Sequence, residues 1–232
     1  MGFSRRKFVG GVGGGLAAFG ALGLSPKTAG AQLIEKHADW KFAEFDRLLK
    51  APARAKQVFD IRAIGEGKYL NNVKNSLNGF HFGFNIPVDQ IKIVVAAHGP
   101  SNGLNFADSM WEKYRLGEFL EVTDPKTGKA ATRNIYFAKK AGTSTDTEDA
   151  ASIYQDNSME ALQGRGVQFL SCHTATEEQA HALVKKFSLT VTPVEVVKDL
   201  EAHTQPGVLI VPAMVATVSL LQSEGHYTYI TV

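Results

Sequence analysis

The sequence predicts one compact α/β domain built on a mainly parallel sheet. Two observations carry this. Apolar runs with strand-like composition, at 56–61, 91–97, 167–171 and 208–211, alternate with segments whose apolar residues recur at helical spacing. The longest of them, Ile91-Lys92-Ile93-Val94-Val95-Ala96-Ala97, is almost continuous and rich in β-branched residues, as in a strand covered on both faces.

Residues 1–31 stand apart from that domain. Ser4-Arg5-Arg6-Lys7-Phe8 is followed by an apolar stretch from Val9 to Leu24 and by Ala29-Gly30-Ala31. A charged start, an apolar middle and a small-residue end make a bacterial secretory signal, and the paired arginines point to the twin-arginine route. The expectation is passage of the folded protein through the twin-arginine translocase, cleavage after Ala31 and a periplasmic location. Gly10, Gly11, Gly13, Gly14, Gly15, Gly20 and Gly23 dilute the apolar stretch, which argues against stable membrane insertion. No strand precedes the glycine run and no Lys-Ser/Thr follows it, so it is not a phosphate loop.

Charge is read without this segment. Of 25 basic and 23 acidic residues, Arg5, Arg6, Lys7 and Lys27 leave with it, so 21 basic residues remain against 23 acidic and the formal charge is −2. No basic stripe is left to suggest nucleic acid. A hydrophobic content of 44% is that of a globular chain, and the remaining length suits one domain. Cys172 is the single cysteine, so an internal disulfide is excluded.

The elements follow in order. Trp40, Phe42, Phe45, Leu48 and Leu49 give 32–54 an apolar helical face, and Pro52 ends this N-terminal arm. Lys56 to Ile61 reads as the first strand, where the domain begins. Leu70, Val73, Leu77 and Phe80 predict a helix over 67–82, the second strand is 91–97, and Phe106 to Tyr114 should be helical. Residues 117–147 break the rhythm. With a turn at Asp124-Pro125-Lys126-Thr127-Gly128 they read as an insertion holding a short hairpin. A helix is expected over 148–162, then a strand from Val167 to Ser171 with Cys172 at its end. Thr174-Ala175-Thr176-Glu177 has the pattern of a capping box opening a helix to about Phe187. The pattern of 194–200 fits either an extended or a helical segment. Val208 to Val211 is a strand, Pro212 and Gly225 bracket a helix, and Tyr227 to Val232 closes the chain as a strand.

In open parallel sheets, ligands gather at the C-terminal ends of the strands. His98 and Cys172 both fall there, and Cys172 also precedes a predicted helix start, a position that favours a reactive thiolate. Free cysteine is equally at home as a packed core residue. His37, His81, His181, His203 and His226 are scattered, and the acidic run 145–149 lacks the spacing of a calcium loop.

Gly166-Val167-Gln168-Phe169-Leu170-Ser171-Cys172, Val211-Pro212-Ala213-Met214-Val215-Ala216 and the stretch from Leu220 to Ile230 resemble the DsrE/DsrF-like superfamily, and Ile91 to Gly99 is similar to its early strand and loop. The resemblance runs from about Lys56 onward, apart from the insertion. It implies a flavodoxin-like three-layer sandwich of about five strands and a tendency to form oligomers. It also implies a cysteine persulfide as the chemistry of characterised members, which places the sulfur-bearing cysteine at Cys172. The export signal and the insertion depart from the short cytoplasmic relay members, which sets a cytoplasmic sulfur relay to transfer RNA aside.

Three readings stay open at this point. The first is sulfur binding or transfer on Cys172, with His98 as its neighbour and a separate sulfur donor or acceptor protein as partner. The second is a non-catalytic, homo-oligomeric binding or accessory subunit whose Cys172 is packed. The third is a metal or haem site at His98, Cys172 and His173, for which no close ligand spacing speaks. No cofactor is assigned.

Overall fold

The computed structural model describes residues 36–40, 42–140 and 142–231. The expected export signal, its cleavage site and the first residues of the arm lie outside the described residues. In chain order the elements are α1 (Ala43–Lys50), β1 (Ala55–Ile61), α2 (Lys68–Asn78), β2 (Ile91–Ala97), α3 (Asp108–Lys113), α4 (Leu116–Phe119), β3 (Thr123–Asp124), β4 (Lys129–Ala130), α5 (Met159–Gly164), β5 (Gln168–Cys172), α6 (His173–Phe187), α7 (Pro193–Ala202), β6 (Leu209–Val211), α8 (Met214–Ser223) and β7 (Thr228–Thr231). Five strands form one parallel sheet in the order β6-β5-β2-β1-β7. Helices cover both faces, so the fold is the α/β three-layer sandwich of flavodoxin-like kind that the sequence predicts.

Strand pleat sorts the core into two layers. Phe59, Ile61, Ile93, Val95 and Phe169 point to one side, where Leu70 and Val73 of α2, Trp111 of α3, Leu162 of α5 and Leu183 of α6 meet them. Val58, Val94, Ala96, Leu170 and Cys172 point to the other, against Phe45 of α1 and Met214, Val218 and Leu221 of α8. Each buried aliphatic or aromatic side chain contributes roughly 1.5–3 kcal/mol. Ile91 to Ala97 has a core on both sides, which is why its sequence shows almost no polar alternation.

The arm packs on the second face. Tyr227 donates its hydroxyl to the Leu48 carbonyl, and the Lys56 ammonium donates to the carbonyls of Leu49 and Ala51 at 3.1 Å each. Within the insertion the expected hairpin is present as β3 and β4. Gly128, at φ +68°, turns it and donates to the Asp124 carbonyl. Gly117 passes so close to Ala131 that any Cβ there would overlap the Ala131 backbone.

Several boundaries differ from expectation for local reasons. The predicted helix over 148–162 is helical only from Met159. Asp146, Asp149 and Asp156 accept from the amides two residues further on, and these Asx turns compete with helical hydrogen bonding. The helix expected over 67–82 ends as α-helix at Asn78 and passes into one wider turn over Gly79–Gly83. Thr174 and Glu177 do not cap α6, which starts directly after Cys172; the capping box of this region is Thr192 with Glu195, and it opens α7 over the undecided segment. Among the described residues no helix is long and apolar enough to cross a membrane.

Candidate functional site

The site lies at the C-terminal rim of the sheet. β1, β2 and β5 are adjacent, with Ile61 opposite Ala97 and Ala97 opposite Ser171. Because alternate residues share a face, Asp60, His98 and Cys172 project to the same side as Val58, Val94 and Leu170. One step beyond the Ala97–Ser171 pair, His98 leaves β2 and Cys172 ends β5, at the ends of neighbouring strands about 5 Å apart.

The topology adds a further feature. From β1 the sheet grows through β2, β5 and β6 in one direction, then β7 returns to the opposite side of β1. The helices that follow β1, β2 and β5 pack on one face and α8, which follows β6, on the other, so the switch point at which open parallel sheets form their ligand crevice lies between β5 and β6, beside Cys172. Tyr229 of β7 pairs with Val58 and so shares the face of Asp60.

These placements produce a chain of three side chains. Nε2 of His98 lies 2.7 Å from Oδ1 of Asp60, and the Tyr229 hydroxyl donates to Oδ2 of Asp60 at 2.7 Å. The side chains of His98 and Asp60 are 19% and 14% exposed, so the pair is sheltered but still touches solvent. The hydrogen bond to Asp60 holds the Tyr229 phenol above its ordinary pKa, with burial adding to the effect.

Cys172 is 3% exposed. It packs in the apolar layer with Val94, Leu170 and Val211, yet two polar groups reach its sulfur. The Met214 amide, the first of α8, donates to Sγ at 3.3 Å, and the Thr174 hydroxyl lies 3.0 Å from Sγ. Asn102, fully buried, accepts from the Cys172 amide at 2.9 Å and from the Ser171 hydroxyl at 3.0 Å. Its amide donates to the Thr176 hydroxyl, which itself donates to the Cys172 carbonyl. Ser101 lies within hydrogen-bond reach of the carbonyls of Ile61 and His98, and Gln179 donates to the Gly99 carbonyl. The loop after β2 is thereby fixed to the start of α6. A groove of about 390 Å³ runs beside this junction, lined by Gly99, Pro100, Phe119, Ala175 and Gln179. A larger groove of about 980 Å³ lies against the insertion and contains neither His98 nor Cys172.

Of the residues singled out from sequence, His98 and Cys172 therefore share one face and one rim. Among the described residues no hydrogen bond joins them, because the imidazole turns toward β1 and Asp60. His173 points elsewhere: Nδ1 lies 2.6 Å from Glu201, Nε2 lies 3.8 Å from Glu177, and the ring meets Trp40 edge-on at 5.4 Å. The donors of the metal or haem reading do not converge, and among the described residues no group of three or more His, Cys, Asp and Glu side chains is arranged to hold a metal ion.

Sequence reasoning missed Asp60, Tyr229 and Asn102. A carboxylate in the otherwise apolar Val58-Phe59-Asp60-Ile61 was the available signal for the first, and the asparagine-rich Ser101-Asn102-Gly103-Leu104-Asn105 for the last. Tyr229 carried none, since an aromatic residue in a strand reads as packing. The chain matches no model of a known protein family, no curated protein and no solved structure.

Proposed function

We propose that this chain is an exported, periplasmic DsrE-like protein that carries sulfur as a persulfide on Cys172. The observation that carries the reading is the setting of the thiol. A cysteine that only fills space needs no polar partners, whereas here the Met214 amide and the Thr174 hydroxyl converge on Sγ at the end of a central strand. Such groups solvate a sulfur that bears negative charge during transfer. In that transfer Sγ attacks the outer sulfur of a donor persulfide, a new S–S bond forms, the donor's S–S bond breaks, and the donor leaves as a thiolate. Export through the twin-arginine route is supported by Arg5-Arg6 and the weak apolar stretch after them. Self-association is supported by Val215, Leu220 and Tyr229, apolar or aromatic side chains left exposed on α8 and the edge strand β7.

One observation favours a second reading, a non-catalytic binding or accessory subunit. Cys172 is almost wholly covered. Intact mass of the protein purified without oxygen from its own compartment separates the two. Sulfur-mass additions that vanish in Cys172→Ser support the carrier, and an unmodified mass under sulfur-replete growth supports the packed cysteine.

A further inference from the structure

We infer that Asp60 and His98 form an acid–base pair serving the thiol of Cys172, with Nδ1 of His98 as the proton acceptor and Tyr229 as a positioning residue. The inference rests on the sulfur-carrier reading for its substrate but on different atoms for its geometry. Both oxygens of Asp60 accept, Oδ2 from the Tyr229 hydroxyl and Oδ1 from the imidazole. Nε2 of His98 therefore carries the hydrogen, and in the neutral ring Nδ1 holds the lone pair. A carboxylate that fixes the tautomer and orientation of an imidazole is the arrangement by which a histidine is held ready to take a proton.

Position makes the pair more than a structural tie. It sits at the C-terminal rim on the face of Cys172, with His98 following β2 one residue beyond the Ala97–Ser171 pair and Cys172 ending the neighbouring β5. Proton acceptors in resting sites are often further from their partner than the reaction requires, so with the imidazole held on Asp60 the proton passes between the thiol and Nδ1 through one intervening water. The step balances without an outside oxidant. The Cys172 proton passes to Nδ1 as Sγ bonds the outer sulfur of a persulfide or polysulfide donor. The donor's S–S bond breaks, and the departing thiolate recovers the proton from the imidazolium.

The test uses the purified protein and its only thiol. Alkylation of Cys172 by iodoacetamide is followed from about pH 5 to about pH 9, a range that brackets histidine titration, and sulfur uptake from inorganic polysulfide is read by intact mass. The wild type should show an inflection in the histidine range. His98→Ala should remove that inflection and slow alkylation at neutral pH on the order of 100-fold. Asp60→Asn should shift the inflection, and Tyr229→Phe should shift it less. Should His98→Ala unfold, Asp60→Asn and Tyr229→Phe carry the test, since each preserves shape. Wild-type profiles in all three variants overturn the inference. A histidine-dependent profile without polysulfide uptake upholds the pair and overturns the sulfur-carrier reading. A thiol that reacts only after denaturation overturns both.

Discussion

The first amide of α8, on Met214, donates to the sulfur of Cys172 at 3.3 Å, so the helix that follows β6 is tied at its start to the end of the neighbouring strand β5. Cys172 thus does structural work whatever its chemistry. Cys172→Ala leaves the Met214 amide and the Thr174 hydroxyl without their partner and opens a small void, at a cost of about 1–3 kcal/mol. Serine restores an oxygen that both groups can use, so Cys172→Ser should lose clearly less. Urea unfolding of the two variants checks the order, and equal losses would mean that the contacts to Sγ carry no stability.

Asn102 is the most connected polar side chain of the rim. It joins β5, the loop after β2 and the first turn of α6 while fully buried. Asn102→Ala orphans the Cys172 amide and the Ser171 hydroxyl together. The expected loss exceeds about 2 kcal/mol, from two buried groups at about 1–3 kcal/mol each. A midpoint of chemical unfolding within experimental error of the wild type would contradict this.

A small electrostatic cluster links α3 to α7. Burial pushes the Asp199 carboxyl up, but hydrogen bonds from Lys113 and Tyr114 outweigh it and hold the group below its ordinary value. Burial, then the bond to Asp199, pushes the Tyr114 phenol up to about 12. The depressed carboxylate stabilises the fold above its unfolded pKa of about 3.9, and this contribution is lost as pH falls through the lower folded value. The raised phenol stabilises below its unfolded pKa of about 10, and that contribution is lost as pH rises toward 12. The cluster therefore supports a stability plateau between about pH 4 and about pH 10. Asp199→Asn should lower the plateau and flatten its acid edge in melting curves taken across pH, and an unchanged acid edge would count against the assignment.

Gly117→Ala should be severe. The new Cβ would strike backbone atoms of Ala131, which cannot rotate aside as a side chain can. Overpacking of this kind costs about 1–3 kcal/mol or more. Ala131 follows directly on β4, so the damage should centre on the hairpin. Proteolysis at neutral pH should nick the variant between Thr123 and Arg133 first; uniform resistance there would refute the contact.

Export is checked at the N-terminus. Protein recovered from the periplasm should begin at Gln32, and replacing Arg5 and Arg6 by lysines should hold the precursor in the cytoplasm. Undiminished export of that double variant rules out the twin-arginine route.

The sheet was largely legible because its inner strands β2 and β5 are buried on both faces and carry their own signature. Ile91 to Ala97 matched residue for residue, and Gln168–Cys172 lies one residue from the expected limits. Helix starts were harder. Thr174 and Thr192 each stand three residues before a glutamate, and the one local difference is Pro193, which follows Thr192 at the first helical position. Tertiary contacts decide: the Thr174 hydroxyl is taken up by the Cys172 sulfur, whereas Thr192 is free to cap. The candidate site was half legible. His98 and Cys172 could be placed on the rim from strand ends, but Asp60 and Tyr229 acquire a role only through the order of the strands. β7 lies beside β1, and no period in the sequence announces that pairing.

That same pairing bears on how the molecule is made. Gln57 of β1 pairs with Thr228 of β7, and Asp60 lies 169 residues before the Tyr229 from which it accepts. A ribosome must release all of that intervening stretch before the outer edge of β1 can be covered, and loop closure over so many residues is slow. Until then β1 presents an unpaired edge with Asp60 lacking its tyrosine, a state open to aggregation and to chaperones. Arrival of β7 thus completes both the sheet and the Asp60 contact, and a chain that stops before Thr228 should never mature past that stage.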